Sequence, residues 1–238
     1  MKLQGKKYCD LCGDKLGIRG CYKLLDGNMC KTCARSISPF LTDYPNTYVA
    51  DMQAHLDYRI GNSETLTNFH PTKVIGTHAI LFIDKDAQTW CFCPTANYQK
   101  FQPDILQYSQ IVDCSITIAE EKAEIFRTDA ITVFEKYRPP RYRTLYTFVI
   151  TVTVNCTWYP TISYTINKKE IDSTSSVSYE QTQQEAMELQ RAILSMKGIA
   201  KRQRLQVDAT SMPMICPNCH GEVFPNEYGC CPLCGSFI

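Results

Sequence analysis

Eight of the fourteen cysteines stand in four Cys-x-x-Cys pairs, Cys9/Cys12, Cys30/Cys33, Cys216/Cys219 and Cys231/Cys234, two at each end of the 238-residue chain. A turn of this spacing brings two sulfurs close enough to fill two corners of a tetrahedral site, and a second turn completes it. Seventeen residues (13–29) separate the first two pairs and eleven (220–230) the second two, and each gap suits a short hairpin. The opening MKLQGKKYCD has no apolar signal core, and no apolar run approaches the ~18 residues a membrane span needs. The expected compartment is therefore the reducing cytoplasm, where cysteine pairs serve as metal ligands rather than disulfides. Two Zn²⁺ ions are expected, one per group of four. Iron stays open as the alternative ion, because ligand type alone does not separate it from zinc in a four-cysteine site.

Other donors lie nearby. Cys230 adjoins Cys231 and His220 adjoins Cys219, but the spacing favours Cys231 as the ligand. Cys21, Cys91, Cys93, Cys114 and Cys156 read as small core residues rather than ligands, although Cys91 and Cys93 would share one face of a strand.

The pairs divide the chain into three expected domains: a four-cysteine module at 1–38, a β-rich domain at 39–213 and a second module at 214–238. The middle holds the main core, since a segment of its length can bury roughly 70% of its unfolded surface without metal. Tyr48, Met52, Leu56 and Ile60 predict one short amphipathic helix after Tyr44-Pro45-Asn46. Strands are predicted at 79–84 and 88–93 as a hairpin, then at 110–118, 123–127, 132–137, 145–156 and 161–166. In the clearest strand Tyr146, Phe148, Ile150, Val152 and Val154 alternate with threonines. Ser178 and Gln181 predict a capping box opening a last helix, on which Tyr179, Ala186, Leu189, Ile193 and Met196 form one stripe facing the sheet. Gly198 either ends this helix or weakens it. The fold class expected is α+β: an antiparallel barrel or sandwich with a C-terminal helix, flanked by two zinc modules.

Charge and motif content narrow the function. Twenty-five basic against twenty-four acidic residues give a formal +1, so the overall balance draws the chain to neither nucleic acid nor an acidic membrane. The first module holds eight basic residues (Lys2, Lys6, Lys7, Lys15, Arg19, Lys23, Lys31 and Arg35) against Asp10, Asp14 and Asp26, but four thiolates around one Zn²⁺ offset part of that excess. The second has Glu222 and Glu227 with no lysine or arginine, which disfavours phosphate. Lys136, Arg138, Arg141 and Arg143, with Tyr137 and Tyr142, form a basic patch in the middle, and Lys197, Lys201, Arg202 and Arg204 form another. The chain lacks a phosphate-binding glycine loop, a Gly-x-Ser-x-Gly elbow and a His-Glu-x-x-His motif, and His55, His70, His78 and His220 are scattered. No catalytic residue is assigned.

Tyr8-Cys9-Asp10-Leu11-Cys12-Gly13, followed by Leu25-Asp26-Gly27-Asn28-Met29-Cys30-Lys31-Thr32-Cys33, resembles a small four-cysteine domain of unknown function found at the N-terminus of uncharacterised bacterial and phage proteins. Phe69-His70-Pro71-Thr72 and Pro103-Asp104-Ile105 resemble segments that follow it there. The β-rich middle closed by a helix is similar in element order to bacterial pleckstrin-homology-like (PH-like) domains, and the Cys-Pro-x-Cys knuckles at 216–219 and 231–234 resemble a zinc ribbon. These resemblances imply metal and fold, and carry no established reaction.

The expectation is a non-enzymatic, zinc-binding interaction or adaptor protein whose β domain presents a surface to a protein partner. The alternative is a nucleic-acid-binding regulator that uses the basic first module and the 136–143 loop.

Overall fold

The computed structural model describes residues 8–17, 21–128, 134–210, 214–223 and 230–236. Lys2, Lys6, Lys7, Arg19, Glu227 and residues 132–133 of one expected strand lie outside them. The chain begins with a hairpin, β1 (Cys21–Lys23) and β2 (Asn28–Cys30), leading into α1 (Lys31–Ser36) and then α2 (Val49–Thr67). The next sheet has the order β3 (Lys73–Ile75), β4 (Ile80–Asp84), β5 (Thr89–Cys93), β6 (Leu106–Gln107), and a short helix, α3 (Tyr98–Phe101), precedes β6. A second sheet has the order β7 (Ile111–Thr128), β8 (Phe134–Val154), β9 (Thr161–Thr165). The helix α4 (Val177–Thr210) and a small hairpin, β10 (Met214–Ile215) with β11 (Glu222–Val223), complete the chain. Every pairing is antiparallel.

Of the barrel or sandwich expected, no closed barrel forms among the described residues: the antiparallel strands divide between separate sheets. The break falls between β6 and β7. There a single 3-10 turn, Tyr108–Gln110, redirects the chain, and the Gln107 N–H is taken by the Gln110 side chain at 2.8 Å. The two larger sheets and α4 nevertheless share one core. Leu81, Ile83, Trp90 and Phe92 come from the first sheet, Phe148, Ile150, Val152 and Ile162 from the second, and Ala186, Leu189, Ile193 and Met196 from the helix. The helical stripe is buried as its spacing requires.

Three elements differ from expectation. α4 is capped by Ser176, whose hydroxyl accepts the Tyr179 N–H at 3.2 Å, two residues before the expected capping box, and it runs on through Gly198. The expected strands at 110–118 and 123–127 are one strand, β7, and those at 132–137 and 145–156 are joined as β8. The presumed loop at 136–143 is thus part of a strand. Pro139 and Pro140 fit because the register skips from Ile125↔Arg141 to Phe126↔Lys136, leaving 137–140 unpaired with β7 and needing no ladder donor there. Among the described side chains at 119–127 and 136–144 none is buried, so this end of the β7–β8 ribbon stands off the core.

β4 and β5 are buried on both faces. Their second face, Ile80, Phe82, Cys91 and Cys93, packs with Leu66, Phe69 and Ile105. Cys91, Cys93 and Cys114 are therefore core residues, and burial pushes the thiols of Cys91 and Cys114 up, the latter to about 12. Cys21, expected in a core, is exposed.

Helix α2 joins two cores. Met52 packs with Cys9, Leu24, Met29, Cys30 and Cys33, with Val49 and Leu56 against them, while Leu66 near the other end of the helix packs under the first sheet. Its inner face carries polar groups at helical spacing, His55, Arg59 and Asn62. His55 Nε2 accepts the Ser38 N–H at 3.0 Å, Arg59 donates to Asp104 and to the Gln102 carbonyl (2.8 Å), and Asn62 bonds the backbone of Pro103 and Ile105 at 2.8 and 2.7 Å. This seam satisfies the irregular segments at 36–40 and 102–105, where no strand ladder can.

Candidate metal centres

The N-terminal site is assembled from two kinds of turn. In the first, the Gly13 N–H bonds the Cys9 carbonyl at 2.9 Å and the Cys9 N–H bonds the Asp14 carbonyl at 2.8 Å, with Gly13 at φ 77°. That conformation is open to glycine without strain. In the second, β2 delivers Cys30 to the N-cap of α1, where its sulfur accepts the Cys33 N–H at 3.4 Å. The Cys30 N–H in turn donates to Cys9 Sγ at 3.3 Å.

The C-terminal site repeats the first kind of turn twice. His220 N–H bonds Cys216 O at 2.9 Å and Cys216 N–H bonds Gly221 O at 2.9 Å. Gly235 N–H bonds Cys231 O at 2.8 Å and Cys231 N–H bonds Ser236 O at 2.7 Å. The residue after the second cysteine is again left-handed, His220 at φ 55° and Gly235 at φ 74°. His220 therefore serves as the hinge of a knuckle, and it stands outside the sulfur group, as Cys230 does.

All eight cysteines predicted as ligands are brought together, in two groups whose sulfurs lie within 4.8 Å of one another. Among them Cys9 lies 3.9 Å from Cys33 and Cys12 3.7 Å from Cys30, and Cys216 lies 3.6 Å from Cys234 and Cys219 3.7 Å from Cys231. A Zn–S bond of about 2.3 Å gives a tetrahedron whose edge is about 3.8 Å. A disulfide would need about 2.05 Å, and all fourteen cysteines are free. The cages fit a tetrahedral thiolate-bound ion such as zinc, which would take all four sulfurs of each.

Electrostatics points the same way. Burial opposes ionisation of Cys9, but N–H groups of Cys12, Cys30 and Leu11 prevail and bring its thiol down to about 7, whereas burial and the neighbouring sulfurs push Cys33 up. The Ser236 hydroxyl and N–H bring Cys234 down to about 5. A Gly221 N–H favours the thiolate of Cys219, yet partial burial and the three other sulfurs push that thiol up to about 12. The N-terminal cage thus favours the thiolate of Cys9 and opposes that of Cys33, and the C-terminal cage favours that of Cys234 and opposes that of Cys219, an opposition that a divalent cation removes.

Two carboxylates unassigned by the sequence reading support the first site. Asp10 Oδ2 accepts the Asn28 N–H at 2.6 Å, tying the knuckle to β2, and Asp26 Oδ1 accepts the Val49 N–H at 2.8 Å, tying the hairpin turn to the first residue of α2. The position of Asp26 beside a hairpin glycine was the only signal available for it.

The basic patch lies on β8. Lys136 pairs with Glu124 at 2.9 Å, Arg143 with Asp172 at 3.5 Å, and the Arg141 guanidinium stacks on Tyr137 at 4.7 Å, while Arg138 lies in the stretch unpaired with β7. No helix of the described residues is long and apolar enough to cross a membrane.

Residues 7–55 match the model of a family described as a domain of unknown function (DUF4428). The match spans both N-terminal cysteine pairs and ends within α2, at His55. Neither the curated proteins nor the solved structures compared with the chain contain a match.

Proposed function

We propose that this chain is a non-enzymatic interaction protein of the cytoplasm, with a structural zinc ion at each end and a β domain presenting a surface to a protein partner. The observation that carries the reading is the pair of four-sulfur cages, each with all its sulfurs within 4.8 Å of one another and two of its edges at 3.6–3.9 Å. Four protein sulfurs leave no coordination position for water or substrate, which favours a structural over a catalytic ion. Free thiols suit a reducing compartment. A sheet of four strands, a sheet of three and a packed closing helix support a PH-like arrangement of the 39–213 domain.

The partner surface with most support is the exposed end of the β7–β8 ribbon. A two-stranded ribbon gains little stability alone, and this one holds out Phe126 and Tyr142, 41% and 59% exposed. Pairing of Lys136 and Arg143 with carboxylates reduces the charge free for phosphate, which favours protein over nucleic acid.

Elemental analysis of the purified chain tests the metal assignment. About two zinc ions per chain are expected; fewer than one overturns the two-site reading, and a red protein carrying iron overturns zinc. For the surface, Tyr142→Glu should abolish capture of a partner that the unaltered chain retrieves from its host, while leaving the zinc content at two.

A further inference from the structure

The N-terminal site has a fifth thiol beside it. In the β1–β2 hairpin Cys21 is the direct cross-strand partner of Cys30, a ligand of the proposed zinc site. The pair is of the non-hydrogen-bonded kind. Leu24 N–H bonds Gly27 O across the turn at 2.9 Å, so bonded pairs fall at alternate positions from there, and Cys30 N–H is instead spent on Cys9 Sγ. At such a position the two Cα atoms stand about 4.5 Å apart with side chains on one face. That separation lies within the range a disulfide spans. Cys30 is buried in the cage, whereas Cys21 is exposed, its S–H donating to Asn28 Oδ1 at 3.3 Å on that same face. No other thiol of the hairpin lies outside the cage.

We propose that Cys21 is a redox-modification site, and that a peroxide-class oxidant couples it to Cys30 and so releases the N-terminal zinc. The inference rests on the zinc reading above. The Cys21 sulfur attacks one peroxide oxygen; the O–O bond breaks, the sulfur becomes a sulfenic acid and the first water leaves. Rotation of Cys30 about its Cα–Cβ bond turns its sulfur from the cage onto that of Cys21. The S–S bond forms as the S–O bond breaks, and the departing hydroxide takes a proton to leave as the second water. The two sulfurs together lose two electrons and the peroxide gains two. Only Cys9, Cys12 and Cys33 would then remain to hold a Zn²⁺ at this site, so the ion would be released, and a thiol reductant would restore the fourth ligand.

The test uses the full chain, reduced and zinc-loaded, treated with hydrogen peroxide in the presence of a chromogenic zinc chelator, then alkylated and mapped by mass spectrometry. The expected result is a Cys21–Cys30 linked peptide appearing in step with release of one of the two zinc ions, and recovery after dithiothreitol. Cys21→Ser, and Cys21→Ala as a second variant, should hold two zinc ions when reduced and release the N-terminal one at least tenfold more slowly under peroxide. Equal release rates in the variants and the parent chain would overturn the proposal, as would a Cys12–Cys30 link in place of Cys21–Cys30. A reduced parent chain without zinc would overturn the metal reading before any oxidant is added, which keeps the two failures apart.

Discussion

Arg59 of α2 donates a hydrogen bond to Asp104, whose side chain is fully buried while that of Arg59 is 11% exposed. The same carboxylate accepts from the Ser38 hydroxyl, so three separate segments converge on it. Removing one partner of a buried pair leaves a charge without compensation, which costs about 3–5 kcal/mol. Asp104→Ala is expected to lower the urea midpoint accordingly, read from the fluorescence of Trp90 and Trp158. Arg59→Ala should cost at least as much, since the carboxylate it leaves uncompensated is fully buried, whereas the Arg59 left by Asp104→Ala opens to water. The double variant should lose less stability than the two single losses added together, the mark of direct coupling.

His55 makes the same seam pH-dependent. Burial, opposed by the Asp104 charge and aided by Arg59, brings its imidazole down to about 4, and its Nε2 must stay unprotonated to accept the Ser38 N–H. An unfolded histidine takes its proton near pH 6.5. Between pH 6.5 and 4 the unfolded chain therefore binds the extra proton, and folding stability falls as pH falls, by an amount on the order of 2–3 kcal/mol. Above pH 6.5 the contribution is complete. Urea midpoints of the parent chain and of His55→Gln, measured at intervals from pH 7.5 to 4.5, should converge towards acid. Parallel curves would remove His55 as the cause.

The features legible in the sequence are those fixed over a few residues or by one clean period. The Cys-x-x-Cys knuckles are local turns, so spacing alone places Cys9 with Cys12 and Cys231 with Cys234. The stripe Ala186, Leu189, Ile193, Met196 declares the buried face of α4 in the same way. The apolar spacing predicts too short an α2 because the segment after Ile60 (Gly61, Asn62, Ser63, Glu64, Thr65) has no apolar stripe; it holds a buried Asn62 instead, and Ile60, expected on the inner face, is 65% exposed. Tertiary hydrogen bonds to residues some forty positions away replace the pattern there. The β7–β8 ribbon was read as fragments because at 119–127 neither face is buried, so no alternation marks the strand, and Pro139-Pro140 reads as a break although a register skip accommodates it. Cys21 could not be separated from the core cysteines, since its exposure follows from which strand it faces.

Because α2 shares the core of the first site, ligand loss should spread differently at the two ends. Cys12→Ser is expected to raise hydrogen exchange across 9–36 and along α2 as far as Leu56, through Met52 and the Asp26 contact to Val49. Cys219→Ser, in a module whose core among the described residues is Cys216, Val223 and Cys231, should raise it within 214–223 and 230–236 and leave the strands of the β domain protected. Exchange that rises throughout β4, β5 and β8 in either variant would mean that the chain unfolds as one unit.

The knuckles offer a test in which one substitution should help and another harm. Gly13 at φ 77° has no atom within 4 Å of where a Cβ would stand, so Gly13→Ala introduces backbone strain and nothing else, about 1 kcal/mol. The N-terminal ion should then exchange to a competing chelator several-fold more readily. His220 occupies the equivalent place in the C-terminal site at φ 55° and already bears that strain. His220→Gly should relieve part of it, roughly 0.5–1 kcal/mol, and make the C-terminal ion two- to fivefold harder to remove. Loss of zinc from His220→Gly would instead show that the imidazole binds the ion, and that this knuckle does not hold its metal through sulfur alone.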